Sequence, residues 1–283
     1  MTEIRKAGTL YVVATPIGNL EDITIRAVRI LKEVALVASE DTRHTRKLLS
    51  HLGISTTLLS YYKGKEASRA EPILQRLQEG DDVALVSDAG TPGISDPGAL
   101  LVKKARELNI AVVPVPGPSA LTAAMSVAGF EDTAFHFVGF LPSRGGERRK
   151  FLKTLVSEKP LIIFYESPQR IVAALEDCFA VFGDRRISVA REITKMYEEF
   201  FIGSLAEAIA DFKHRDKIKG EFVVIVAGGE EEEQPTADDL DALLVWYRDN
   251  SELSLKDASR RVAKDMGLSR SQVYRRALDL WQS

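Results

Sequence analysis

Six short stretches of this 283-residue chain combine small residues with the charges that chemistry needs. They are Ala14–Glu21, Ser39–Arg46, Asp88–Ser95, Pro116–Ala120, Tyr165–Arg170 and Arg191–Lys195. Their principal charges are Asp88, Glu166, Arg170, Arg191, Glu192 and Lys195, set among glycines, prolines and small hydroxyl residues. A carboxylate beside cations can take up a proton and steady the anion that remains. Glycine-rich turns let main-chain donors come close to a ligand. The same charges can equally be ion pairs that only hold loops in place. Many backbone donors and few charges suit a neutral or cationic organic cofactor better than a polyphosphate.

Other chemistries lack their residues. There is no GxxxxGKS/T phosphate loop and no GxSxG nucleophile elbow. His44, His51, His136 and His214 are scattered without metal-ligand spacing, so no metal is expected. Cys178 is the single cysteine, which rules out an intramolecular disulfide and fits a reducing compartment. The loop at Asp88 superficially resembles a dinucleotide fingerprint, but the next strand, AVVPVP, offers no acid for ribose hydroxyls.

The hydropathy pattern supplies elements that bring these loops to one edge. Val83–Val86 is an apolar run of strand length, and the loop after it leads to Ser95, Asp96 and Pro97, which read as N-caps and a first-turn proline of a helix running to about Leu108. Leu10–Ala14, Ala35–Ala38, Leu58–Tyr61 and Ala111–Val115 read as further strands, with helices at Ile23–Glu33, after the Ser39–His44 loop through Leu52, and at Glu71–Gln78. Strands alternating with helices predict a parallel α/β domain over residues 1–118, whose strand ends form a ligand edge. From 119 to 228 the pattern changes. A connecting helix, Ala120–Gly129, precedes strands at Phe135–Leu141, Leu161–Tyr165, Ile187–Arg191, Glu198–Gly203 and Glu221–Ala227. Helices fall only at about Glu147–Val156, Arg170–Phe179 and Leu205–Phe212, so a second, mixed-sheet α/β domain is expected.

Residues 229–237 are polar and acidic and read as a linker. Residues 238–283 read as a helical unit in which Ser254–Met266, a Gly267 turn and Ser271–Trp281 outline a helix-turn-helix. Seven Lys/Arg against four Asp/Glu over residues 251–283 make this tail net +3 in a chain of formal charge −3. Arg270, Arg275 and Arg276 lie on or beside its second helix. A second basic stretch, PSRGGERRKFLK, carries Arg144, Arg148 and Arg149 among its cations, and Arg43 could extend that surface. Such patches suit phosphate, although a solvated basic face looks the same in sequence. No run approaches the roughly 20 apolar residues of a membrane span, and the amino-terminal stretch has no leader-like apolar segment. A cytoplasmic location is expected.

The motifs LYVVATPIGNLEDITIRA, SEDTRHT, VSDAGTPGISDPG, PVPGPSALTAA, FYESPQR and AREITK, in this order and spacing over about Gly8–Gly228, resemble the tetrapyrrole-methylase superfamily of S-adenosylmethionine enzymes. Within it the chain is most similar to the branch that methylates the ribose 2′-oxygen of a decoding-site cytidine in small-subunit ribosomal RNA. The resemblance implies two α/β domains with S-adenosylmethionine between them, usually as a homodimer. By position it carries cofactor contacts onto Pro16, onto Asp88, Ala89, Gly90, Thr91 and Ile94, and onto Ser119 and Ala120. From the second domain it adds Tyr165, Glu166, Ile193 and Phe222. Where tetrapyrrole enzymes show a GxGxGD-like run, this chain has Ala14-Thr-Pro-Ile-Gly-Asn19, which points to a different acceptor.

A ribose hydroxyl needs help to lose its proton. Glu166 or Glu192 is therefore expected as the base, with Arg170, Arg191 and Lys195 positioning phosphate or the developing alkoxide. RNA contacts are expected at Arg43, Arg144, Arg148, Arg149, Arg170, Arg270, Arg275 and Arg276. Two other readings stay open on sequence alone: a methylase of a tetrapyrrole-like small molecule, and a non-catalytic nucleic-acid-binding protein on a methylase core.

Overall fold

The computed structural model describes residues 6–229 and 237–281, in two compact units, Met1–Gly229 and Glu230–Ser283. Most of the expected acidic linker lies outside the described residues.

The first half of the larger unit alternates strand and helix. Its strands are β1 (Thr9–Val13), β2 (Leu36–Ser39), β3 (Leu58–Ser60), β4 (Val83–Val86) and β5 (Ala111–Val115). Between them run α1 (Ile25–Glu33), α2 (Thr42–His51), α3 (Glu66–Gln78) and α4 (Ala99–Glu107), and α5 (Ala120–Val127) follows β5. All strands pair in parallel in the order β3-β2-β4-β1-β5. Because side chains alternate across a strand, Leu85 packs with α3 and α4 on one face while Ala84 and Val86 pack with α1 and α2 on the other. Both faces are covered, as a parallel sheet requires. Side chains cap the helices that face the ligand edge: Thr24 accepts from the Ala27 amide and Asp41 from the Arg43 amide.

Two expectations need correction here. The helix after β4 does not open at Ser95–Pro97. Ser95 has φ +69°, and Gly98, at φ +145°, takes the N-cap position before Ala99. A residue held in the left-handed region cannot start a right-handed helix, so the loop is longer than its residue types imply. Helix α3 begins at Glu66, five residues before the expected Glu71, with Pro72 inside it. The carbonyl that Pro72 leaves without an amide belongs to exposed Ser68, where water can serve it.

The second half builds a mixed sheet from β6 (Phe135–Phe140), β7 (Leu161–Glu166), β8 (Arg186–Arg191), β9 (Glu199–Ser204) and β10 (Phe222–Val226). The order is β6-β7-β10-β8-β9, parallel only between β6 and β7. Helices α6 (Gly145–Lys153), α7 (Ile171–Phe182) and α8 (Leu205–Lys213) cover one face, with Phe164, Val189, Phe222 and Val224 in the core. Helix α5 covers the other through Ala124 and Ala128 against Leu161, Ile163, Val223 and Ile225.

The smaller unit holds three described helices, α9 (Ala237–Asn250), α10 (Leu255–Asp265) and α11 (Arg270–Trp281). Leu244 of α9 closes a core with Val262, Ala263, Val273 and Ala277. The two-helix outline therefore lacked one member, because two helices alone leave that apolar face uncovered. Among the described residues no helix is long and apolar enough to cross a membrane.

Candidate active site

The loops after β1, β4 and β5 meet those after β7 and β8 around a cavity of about 420 Å³. Backbone bonds set the first wall. Thr15 and Gly90 exchange both amide–carbonyl bonds at 2.9 Å, tying the β1 loop to the β4 loop. Gly90 sits at φ +74°, and a Cβ there would meet Ile17 and the Pro118 carbonyl. The Asn19 amide donates to Thr194 Oγ1 at 3.1 Å, so the first loop also touches the opposite wall. Three non-glycine residues at these loops, Ser95, Glu192 and Thr194, have positive φ, a conformation that persists only where surroundings enforce it.

Ten of the twelve residues expected at the cofactor line this cavity: Ala89, Gly90, Thr91, Ile94, Ser119, Ala120, Tyr165, Glu166, Ile193 and Phe222. Pro16 and Asp88 are not among the lining residues. Asp88 Oδ1 accepts the Asp41 amide at 2.9 Å, which makes it a brace between the β2 and β4 loops. The sequence reading missed Ile17, Asp96, Phe140, Pro168 and Glu221, which also line the cavity. Phe140 sits at the end of β6, and its ring packs edge-on against Tyr165 at 5.7 Å. Only pairing of β6 with β7 brings it there, so no local sequence signal marks it.

The expected catalytic charges divide sharply. Glu166 is 1% exposed, and its carboxylate accepts from the Ser167 amide at 2.8 Å and from Arg170 Nη2 at 3.0 Å. Arg170 also donates to the Leu141 carbonyl at 2.5 Å, which uses it as a strut between β7 and the β6 loop. Arg191 donates to the Lys219 carbonyl and to Glu199, which Arg215 also binds. Both guanidinium groups are engaged in structural bonds, Arg170 between β7 and the β6 loop and Arg191 with Lys219 and Glu199. Glu192 and Lys195 remain in the cavity, paired at 2.8 Å, and Lys195 also reaches Glu221 at 2.9 Å. Burial works against the Glu192 carboxylate, but the Lys195 ammonium and the Glu221 amide hold it below its ordinary range. Lys195 is held above its own range: burial is outweighed by Glu192 and Glu221.

Asp96 differs from both glutamates. Burial pushes its carboxyl up, nearby Asp88 and Glu221 push the same way, and the Ser87 bond and Lys63 oppose. Glu40 is raised by burial and by Asp96 and Asp88. The first wall thus holds carboxyl groups crowded by one another, while the second holds an ion pair.

The basic stretch in α6 also needs correction. Arg148 is 5% exposed and donates from Nε to Asp177 Oδ2 at 2.7 Å, while Arg149 binds the other oxygen at 2.9 Å. A buried guanidinium spent on a carboxylate cannot reach a phosphate, so Arg148 belongs to the core. Arg149 is half exposed, and Arg144 and Arg43 are largely exposed, with Glu147 and Asp41 beside them. In the helical unit Arg276 is paired with Asp241, whereas Arg270 and Arg275 are exposed.

Residues 9–209 match the family model described as tetrapyrrole (corrin/porphyrin) methylases. The chain belongs to this family. Residues 234–280 match a second model, the RsmI C-terminal HTH domain. The chain is 43% identical over 278 residues to a ribosomal RNA small subunit methyltransferase I of Halalkalibacterium halodurans, covering 94% of this chain and 93% of that one. It is 46% identical over 275 residues to the protein so named in Pseudomonas aeruginosa, covering 96% and 97%. A Thermotoga maritima protein of that name is 49% identical and matches along 100% of its length, yet covers only 79% of this chain. Among solved structures, the methyltransferase CobJ superposes with TM-score 0.59 at 20% identity, over 78% of this chain and 95% of that one. A uroporphyrin-III-C-methyltransferase of Thermus thermophilus does so with TM-score 0.56 at 17% identity, over 77% and 94%. At such identities the structural likeness establishes the fold alone.

Proposed function

We propose that this family member transfers the methyl group of S-adenosylmethionine to the ribose 2′-oxygen of a cytidine in the decoding region of small-subunit ribosomal RNA. The observation that carries the reading is the near-full-length likeness to ribosomal RNA small subunit methyltransferases I. The cavity fits the cofactor. Ile17, Ile94, Phe140, Tyr165, Ile193 and Phe222 offer apolar walls for a base and a thioether-like chain. The carboxylates of Asp96, Glu192 and Glu221 suit an ammonium and a sulfonium. Gly90 lets the main chain approach closely.

Bound there, the cofactor would supply an electrophilic methyl on a positively charged sulfur. The small residues Ala89–Thr91 and Ser119–Ala120 hold one side of the ligand, and the Tyr165–Pro168 wall excludes water from the other. The acceptor proton falls to a cavity carboxylate. Both expected bases line the cavity, but Glu166 is 1% exposed and bound to Arg170, so the proton is assigned to Glu192, with Lys195 placed to steady the alkoxide. Glu166 holds the wall in position. The division into sheet domains at about residue 118, a cytoplasmic location and a homodimer belong to the same reading. Exposed Met196, Tyr197, Phe200 and Ile202 are a surface that pairing of two copies would cover.

Labelled S-adenosylmethionine incubated with small ribosomal subunits, free ribosomal RNA and uroporphyrinogen tests the reading. Label is expected in ribosomal RNA, at a phosphodiester that has become resistant to alkali because its 2′-oxygen is blocked. Label in uroporphyrinogen, or in an alkali-labile position, would overturn it.

A further inference from the structure

We infer that the helical unit carries a phosphate-binding cavity for RNA, set between α10 and the first turn of α11 and distinct from the exposed flank bearing Arg275 and Arg276. The inference deepens the RNA-methylation reading and rests on it.

The cavity is lined by Lys256, Ser259, Arg260, Arg270, Ser271 and Tyr274. Three cations, two hydroxyl side chains and a phenol converge there, and no carboxylate is in the lining. Among the described residues Lys256 and Arg270 have no ion-pair partner, and Arg260 has only Asp257, at a long 3.5 Å. Elsewhere in the unit Arg276 is held by Asp241, and Arg248 by Asp249 and the Leu280 carbonyl, while Arg275 is exposed and not among the residues of that lining.

The helix end sharpens the contrast. The first turn of α11 has no acidic residue, and Arg270 is its first residue. Ser269 caps the turn by accepting the Gln272 amide at 3.3 Å. A cation beside the positive end of a helix opposes the backbone dipole, and with two more cations nearby the arrangement lacks an anion. A phosphodiester supplies one, taking charge-assisted bonds from Arg260, Arg270 and Lys256. Tyr274 is 42% exposed and offers an aromatic face for the adjoining base or sugar. Phosphate contacts of this kind fix register and add affinity without reading sequence.

The full chain carrying K256A/R260A/R270A is compared with the wild type for binding a short labelled single-stranded RNA across a salt series. S-adenosylmethionine binding and KM for small subunits are measured alongside. The triple variant is expected to lose roughly tenfold in RNA affinity at about 0.15 M salt, and its log–log salt slope to shrink by about 0.7, the release from one single-strand phosphate. Cofactor binding stays unchanged and KM rises. R261A removes the same kind of charge from outside the cavity lining and leaves both RNA parameters in place. K256A alone, at an exposed position, moves the slope in the same direction and serves if the triple variant loses helical content. An unmoved affinity and slope in the variants, or an equal loss in R261A, would overturn the cavity. A wild type that fails to methylate small subunits would instead sink the functional reading, whatever the cavity does.

Discussion

A Cβ on Gly220 would stand 2.3 Å from Cγ of Glu192 and 2.7 Å from its carboxyl carbon. The Glu192 side chain lies against this bare backbone, with Oε1 accepting from Lys195 Nζ at 2.8 Å and from the Glu221 amide at 3.0 Å. Gly220→Ala must therefore push the carboxylate off both donors. Gly183 is the matched control: it also has positive φ, but a Cβ there meets nothing within 4 Å. Both variants should lose about 1–3 kcal/mol to backbone strain, read by denaturant melts. Only Gly220→Ala should also weaken cofactor binding and slow methyl transfer. Equal activity in the two variants would detach Glu192 from the site.

Glu166→Gln and Glu192→Gln should fail in different ways. Glu166 is buried on Arg170 and the Ser167 amide, so neutralising it strands a partly buried guanidinium and costs about 3 kcal/mol of stability. Glu192→Gln should melt near the wild-type temperature and lose single-turnover rate by roughly a hundredfold, the scale of general-base catalysis. Near-normal rates with intact cofactor binding would remove the base assignment.

Arg148 and Arg149 share Asp177 but not its consequences. Arg148→Ala leaves a buried carboxylate with one exposed partner and should destabilise by about 3–5 kcal/mol. Arg149→Ala keeps the buried pair and should change stability by less than about 1 kcal/mol. A fall in RNA affinity for Arg149→Ala at unchanged melting temperature would place α6 on the RNA surface. Charge reversal at Arg148 reads only folding.

Asp96 and Glu40 give the first wall a pH signature. Burial raises both carboxyl groups; the charges of Asp88 and Glu221 add to it at Asp96, and those of Asp96 and Asp88 add to it at Glu40. A folded value above the unfolded one means that the stability from each group is fully present below the ordinary carboxylate range. It is lost as pH climbs through the higher folded value. Asp96→Asn should therefore raise the melting temperature at neutral pH and lose that advantage under acid conditions. If Asp96 faces the cofactor's positive charge, the same variant should bind S-adenosylmethionine more weakly at neutral pH, a stability gain set against function.

The sequence made the site's location legible better than its chemistry. Strand runs followed by small-residue loops placed Ala89–Ile94 and Ser119 at one edge, since a parallel βα pattern leaves few other arrangements. Ile193 instead follows a strand with antiparallel neighbours, to which that rule does not apply. The partners of the charges were not legible, because residues apart in sequence became partners in space. Arg170 lies one helical turn after Glu166 and folds back on it, and Arg148 turns inward to an aspartate in the next helix. Composition cannot separate an inward arginine from an outward one. Phe140 and Asp96 were missed for another reason: one reaches the cavity through strand pairing and the other through a left-handed residue, Ser95, beside it. Helix α9 escaped because its apolar residues, Leu244 foremost, make sense only against two other helices.

Strand β10 is the last strand of the larger unit to be synthesised, yet it lies at the centre of the second sheet, between β7 and β8. Until residues 222–226 leave the ribosome, that sheet can exist only as separate halves, β6-β7 and the β8-β9 hairpin, with unpaired edges between them. Phe222 and Val223 also line the cavity. During translation the chain thus completes its first wall early and cannot assemble a cofactor site until nearly all of the larger unit has been made. A nascent chain stalled before this strand exposes two sheet edges prone to wrong pairing, while the finished protein gains its ligand site and closes the sheet in one step.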